Sequence, residues 1–356
     1  MDFNGKLPDI LPDDLVLELG YDLIPLVDKD RGAELLERIQ GVRRQIAYDL
    51  GLAISKVRIL DNLLLDPCEY CIRIRGVEMG RGKIRMGHLL CMNPGTVAVE
   101  IEGEKTKDPA FGLLALWVSA DRRDEAKQAG YTVADPQGII ATHLTEIIKH
   151  NTGGILGLQN TQDILDSLRK EYPAVVDAVK STDIRVLEIQ KVLHGLLKEQ
   201  VSIRNIVTIL EAIAYFARDS RDIQVLVERA RQALASQICR QHAGKDNCLR
   251  VLTINIEFEQ KIIESKAATP SGRIACVLDP PTQKMWIKAL GKAIAEVRKN
   301  VEGWMPVILC SEQARFLVKD STYREFPELA VLSVPEITDG FTVESVGEIR
   351  IDEAEK

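Results

Sequence analysis

The sequence predicts a multidomain chain of α/β and α+β character with an all-helical stretch in its second half. Three observations carry this. A chain of 356 residues that is 46% hydrophobic holds too much apolar material for one ordinary core. Some runs alternate apolar and polar residues, the period of a strand, while others repeat apolar residues at spacings of three and four, the period of a helix. The pattern changes near residues 156 and 240, from mixed to helical and back to mixed.

Taken in order, the opening residues up to Asp14 are rich in proline and aspartate and have no apolar period, so they read as a linker. Leu15 to Leu19 reads as a strand. Leu35, Ile39, Val42, Ile46 and Leu50 mark one face of a helix, and Gly51 supplies the left-handed residue at which helices often end. Val57 to Ile59 and the alternation of Tyr70, Ile72 and Ile74 read as further strands. From Gly76 to Gln137 the pattern is short and punctuated by glycine, with apolar clusters at Leu89-Leu90 and Leu113 to Val118 and a polar helix near Asp121 to Gln128. That describes a small α+β unit. Ile164 to Leu168, Ile189 to Leu197, Ile206 to Phe216 and Ile223 to Leu234 are helical, with Ser202 as a candidate N-cap. Leu252, Ile254, Ile256 and Phe258 alternate as a strand, followed by a helix through Trp286, Leu290, Ile294 and Val297. Met305 to Cys310, Ser311 to Lys319, Leu329 to Ser333 and Thr342 to Ile351 complete a final α/β portion as strand, helix, strand and strand.

With 53 acidic against 46 basic residues, the net charge of −7 offers no field that gathers polyanions, so nucleic acid is not an expected partner. The clusters Arg43-Arg44 and Arg81 to Arg85 read as solvated faces. No run approaches the roughly 18 to 20 apolar residues that cross a bilayer. Seven scattered cysteines fit a reducing compartment, the cytosol.

Several patterns resemble chemical sites without completing one. Cys68 and Cys71 have the spacing of a redox pair or of half a zinc site, but no second pair exists, and they read as structural. His143 and His150 lie on one helix face without a ligand partner at metal spacing and read as packing or surface residues. Gly80 to Lys83 lacks the Walker spacing, and Gly153 to Gly157 follows no strand, so both read as loops. No catalytic residue, metal site or cofactor is expected. The most informative segment is Glu104 to Gly112, where Asp108 and Pro109 form a turn signal that fixes the place of Phe111. Two roles fit that ring: a plug in a local core, which the chemistry alone favours, or an aromatic anchor at a binding cleft.

Many short motifs in fixed order carry a resemblance over essentially the whole chain. They are Gly20 to Asp28, Arg58 to Asn62, Arg75 to Glu78, Met92 to Gly95, Thr106 to Gly112, Ala141 to Leu144, Ser202 to Asn205 and Val331 to Ser333. Together they resemble the cytoplasmic part of the type III export gate family, on its flagellar branch, to which Asp108 to Gly112 and the Gly20-Tyr21 block point. The resemblance implies a membrane-embedded N-terminal half outside this sequence, a place at the cytoplasmic face of the bacterial inner membrane, and no enzymatic activity. It also implies four subdomains after a linker at 1–12. The first, α/β, takes in 13–86 and 136–155, and a small α+β second at 87–135 is inserted in it. The third, at 156–239, is helical, and the fourth, at 240–356, is α/β. Such proteins receive export chaperones with their cargo in a cleft between the first two subdomains, and the matching positions are Asp108, Phe111 and Thr142. They work with other export components and associate in a nine-membered ring. The alternatives are the injectisome branch of the same family and a soluble enzyme with an unrecognised site, which an upstream gene region without membrane spans would favour.

Overall fold

In the computed structural model, residues 13–28, 33–95, 97, 99–270, 272–301 and 304–351 are described. The linker expected at 1–12 lies outside them. The chain divides into two compact units, one of residues 1–164 with 202–204 and one of 165–201 with 205–356.

Unit 1 begins with β1 (Leu15–Leu19) and α1 (Glu34–Leu50), followed by β2 (Arg58–Asp61), β3 (Glu69–Ile74) and β4 (Val77–Lys83). The four strands form one sheet in the order β2-β1-β3-β4. β1 runs parallel to β2 and antiparallel to β3. α1 buries Leu35, Ile39, Val42, Ile46 and Leu50, the residues that its period marks, and stops at Gly51 with φ of 71°. A side chain at Gly51 would also stand 2.4 Å from the backbone nitrogen of Arg204, so only glycine fits there. β5 (His88–Met92), β6 (Glu104–Lys107), β7 (Leu114–Ser119), α2 (Arg123–Gln128) and β8 (Thr132–Ala134) follow. Their strands make a second sheet, β6-β7-β5-β8, with its own small core of Leu89, Cys91, Val118, Ala126 and Tyr131. The chain then enters α3 (Pro136–His150) and the short α4 (Thr152–Ile155), with α3 packed beside α1. Gly80 to Lys83 is therefore the end of a strand, and Gly153 and Gly154 lie in a helical turn; neither is the loop that the sequence suggests.

α5 (Leu158–Glu171) leads into unit 2, where α6 (Pro173–Lys180), α7 (Val186–Lys198), α8 (Ile206–Phe216), α9 (Ile223–Ala233) and α10 (Ala235–His242) are helical. Asn205, not Ser202, precedes α8; the Ser202 hydroxyl accepts from the Arg204 N–H at 3.4 Å instead. β9 (Cys248–Ile254) is followed by α11 (Ile256–Glu264), β10 (Lys266–Ala268), β11 (Ile274–Cys276) and α12 (Pro280–Asn300). The strand alternation therefore breaks after Ile254. The Asn255 side chain caps the N–H groups of Glu257 and Phe258, and Phe258 and Ile262 then share a buried helix face. β12 (Val307–Cys310), α13 (Glu312–Thr322), β13 (Ala330–Ser333) and β14 (Thr342–Ile349) complete a parallel sheet in the order β13-β12-β9-β14. Trp286, fully buried, anchors its core beside Phe258, at 5.2 Å between ring centroids.

Inside unit 2, five charged side chains form a connected group, with Lys319 beside them on backbone carbonyls. Arg315 donates to Glu199 at 2.6 and 3.1 Å and forks onto both carboxylate oxygens of Glu228 at 2.5 Å. Arg231 joins Glu199 at 3.1 Å to Glu336 at 2.7 Å, and Lys319 donates to the carbonyls of Pro327 and Leu329. The group thus ties the end of α7 and the middle of α9 to α13 and the turn after β13. Arg315 has no exposure, and among the described residues no buried side-chain polar atom lacks a partner. The two guanidiniums overcome burial and hold the Glu199 carboxyl down to about 2. Burial also lowers the Lys319 ammonium, to about 8.

His242, at the end of α10, is pulled down to about 4 by burial and then by the Arg231 cation. Its folded value lies below the ordinary 6.5, so the unfolded chain takes up the proton first. The stability it contributes is present above about pH 6.5 and is lost as the pH falls towards 4. Calorimetry should show unit 2 losing on the order of 2 kcal/mol across that window, and His242→Gln should flatten the slope. The same slope in the variant would assign it to other groups.

Candidate functional site

β6 and β7 are antiparallel, and Lys107 pairs with Leu114, so residues 108–113 must turn the chain back. Three hydrogen bonds lock that turn. The Asp108 N–H donates to the Leu113 carbonyl at 2.8 Å, the Gly112 N–H to the Asp108 carbonyl at 2.9 Å, and the Phe111 N–H to Asp108 Oδ2 at 2.7 Å. Pro109 restricts φ directly after the capping carboxylate, and Gly112 takes a φ of 68°, which a β-carbon would strain. The capping carboxylate is itself buried, with Asp108 only 4% exposed. Because the turn spends its polar groups on itself, its apolar residues face outward: Phe111 is 50% exposed, Leu113 56% and Leu114 78%. The Phe111 ring therefore plugs no core, contrary to the reading that the chemistry alone favours.

Thr142 lies on the exposed side of α3. The Asp135 side chain caps this helix by accepting the Gly138 N–H at 2.7 Å, and Pro136 occupies its first turn. The next residue, His143, turns inward and is buried, with Nδ1 2.8 Å from the Tyr70 hydroxyl of β3 and the rings edge-on at 5.7 Å. Burial lowers the His143 pKa while the Asp108 charge opposes the shift, and burial followed by the same charge raises that of Tyr70. Asp108 thus sits within electrostatic reach of the histidine beside Thr142. The structure brings Asp108 and Phe111 together in one turn, while Thr142 lies on α3.

The Tyr70–His143 bond joins partners 73 residues apart, a distance that local pattern does not span. Its one local signal is the pair Gly80 and Gly82 on the same face of β4. A β-carbon at Gly82 would stand 2.5 Å from the Tyr70 hydroxyl, and one at Gly80 would stand 2.9 Å from His143 Nε2. Cys71 is buried in β3 with its thiol raised to about 11 by burial, and Cys68 donates to Asp22 at 3.3 Å. Protonated thiols of this kind are poor ligands and nucleophiles. His150 bonds the Glu146 carbonyl of its own helix at 2.7 Å. Among the described residues, no helix is long and apolar enough to cross a membrane.

Residues 6–342 match the FHIPEP family. A Treponema pallidum protein called flagellar biosynthesis protein FlhA is 44% identical over 357 aligned residues, which cover 99% of this chain and 50% of that protein. The chain thus spans about half the length of the curated relatives it matches. Among solved structures, CdsV of Chlamydia pneumoniae superposes with a TM-score of 0.84 at 24% identity, covering 97% of this chain and all of that one. A nonameric SctV-C from EPEC gives 0.76 at 19% identity, covering 96% of this chain and all of that one. At such identities the two structures speak for the fold, and the match over residues 6–342 decides membership: the chain belongs to the FHIPEP family.

Proposed function

We propose that this chain is the cytoplasmic docking platform of a flagellar protein export gate, which receives export chaperones with their cargo and passes the cargo to a membrane pore. The observation that carries the reading is the self-capped turn at Asp108, which holds Phe111, Leu113 and Leu114 out of the core at a fixed place. An ordered apolar edge of this kind is what an aromatic anchor for a partner requires. Asp108 shapes the turn, Phe111 supplies contact area, and Thr142 offers a hydroxyl across the cleft. Identity of 44% to a relative called flagellar biosynthesis protein FlhA favours the flagellar branch over the injectisome branch. The finer division into four subdomains, with the second sheet inserted in the first subdomain, belongs to the same reading. Titration calorimetry of the chain with a purified flagellar chaperone–cargo complex should give saturable binding. Absence of binding at high micromolar concentration contradicts the proposal.

Ring formation and contact with other export components also belong to the reading, supported by the nonamer formed by the EPEC relative. A ring needs two different patches on each copy, and exposed residues around Arg185 to Arg204 are the candidate for one. Arg204 lies outside any helix, stacked 4.6 Å over the ring of Tyr48. Membrane tethering raises the effective concentration of neighbours, so weak contacts suffice there. Cysteines placed on this patch should crosslink into a ladder when the chain is membrane-anchored and stay mostly monomeric in dilute solution. A two-fold dimer in both settings contradicts the ring.

A further inference from the structure

α12 carries lysines at 284, 288 and 292, one every fourth residue, so they stand in a row on one face, about 6 Å apart along the axis. Two neighbouring cavities open beside that row. One, of about 710 Å³, lies between the first turns of α11 and α12, and its walls include Phe258, Lys261, Lys284, Met285 and Lys288. The other, of about 240 Å³, continues along α12 to Lys292 and is bounded by the end of β14. Met285, Lys288 and Ile351 belong to both, so the two form one groove. Its floor is apolar and its rim is charged: Phe258 is buried, Met285 and Ile351 are half-buried, and Lys261, Lys284, Lys288 and Lys292 are exposed. Four acidic side chains also line the groove, and two of them are engaged. Asp279 caps α12 on the Thr282 N–H at 3.0 Å, and Glu348 pairs with Arg350 at 2.6 Å. That leaves Glu257 and Glu296 against the lysines, a local positive excess in a chain whose net charge is −7.

We propose that this groove docks an acidic peptide segment of a partner protein, its apolar side chains on the floor and its carboxylates along the lysine row. The row decides between a peptide and a compact anion. Lys284 to Lys292 spans about 12 Å along the helix, too long for one phosphate and matched by three or four residues of extended chain. The floor decides the same way, since a small anion has nothing to bury on Met285 and Ile351, whereas a peptide gains by covering them. Opposite charge along the rim then fixes orientation and speeds encounter more than it adds affinity. The groove lies wholly in unit 2, so the proposal stands apart from the docking reading of the Asp108 turn in unit 1.

The test uses the whole chain with isotope-labelled methionine methyl groups and a synthetic peptide of alternating glutamate and leucine. Nuclear magnetic resonance should show the Met285 methyl shifting saturably with peptide, and fluorescence anisotropy of the labelled peptide gives the affinity. Reversing the row, with Lys284→Glu, Lys288→Glu and Lys292→Glu together, should weaken binding about tenfold, since several exposed ion pairs are lost at once. Met285→Gln, which keeps the length but not the apolar surface, should weaken it about fivefold. Should the triple reversal not fold, Lys292→Glu alone, at an exposed site, must still weaken binding about twofold. An unshifted Met285 methyl at millimolar peptide overturns the proposal. So does an equal shift with a glutamate–serine peptide or with tripolyphosphate, because charge alone is then read. Binding that appears only after residues 352–356 are removed would make the chain's own end the occupant and overturns the choice of a partner.

Discussion

Glu199→Ala should cost unit 2 about 3 to 5 kcal/mol, lowering its melting temperature by roughly 10 °C. Glu199 is the carboxylate that Arg315 and Arg231 share, at 2.6 and 3.1 Å. Removing it leaves two guanidiniums, 0% and 3% exposed at the side chain, each short of a partner. Desolvation that the pairs now offset would then stand uncompensated, and this decides the sign and the size. Losing several kcal/mol matters in a protein whose total stability is typically about 5 to 15. A calorimetric loss under about 1 kcal/mol would show that water reaches these cations and that the group does not bind α7 and α9 to the final sheet. Replacing the whole group with apolar residues of similar volume should cost less than the single truncation, since buried ion pairs often break even against good packing. The group ties the helical stretch to the final α/β stretch through side-chain hydrogen bonds.

How much of this was legible in the sequence follows from the distance over which each feature is decided. α1 could be read residue by residue, because its buried face and its Gly51 stop are local. Ile256 and Phe258 read as strand because their spacing of two continues that of β9, while a single capping side chain, Asn255, starts a helix directly after Ile254. Gly80 and Gly82 looked like loop residues because their reason for being small, the Tyr70–His143 pair, comes from elsewhere in the chain. Glu199 and Arg315 are 116 residues apart, and nothing near either one marks it as buried. The candidate site lies between these cases. Asp108-Pro109 announced a turn, but whether Phe111 faced a core or solvent depended on β7 pairing with β6 and closing the turn on itself. The short β10–β11 hairpin left no pattern long enough to read.

The second large effect is on binding. Phe111→Ala removes the aromatic surface that the turn presents, while Asp108, Gly112 and the backbone bonds that shape the turn remain. Full burial of such a side chain is worth roughly 1.5 to 3 kcal/mol, about ten- to a hundredfold in affinity. Half the ring is already covered in the free chain, so a loss near the lower end, about tenfold, is expected. Asp108→Ala should act in the same direction by removing the cap, typically worth about 1 kcal/mol. Stability should hardly change in the first variant, since Phe111 is half exposed and is not among the buried core residues. The most direct measurement is therefore the affinity of wild-type chain and Phe111→Ala for one flagellar chaperone–cargo complex, taken alongside their melting temperatures. The account predicts binding weakened about tenfold at an unchanged melting temperature. Equal affinity, or a lower melting temperature with normal binding by the folded fraction, would contradict it.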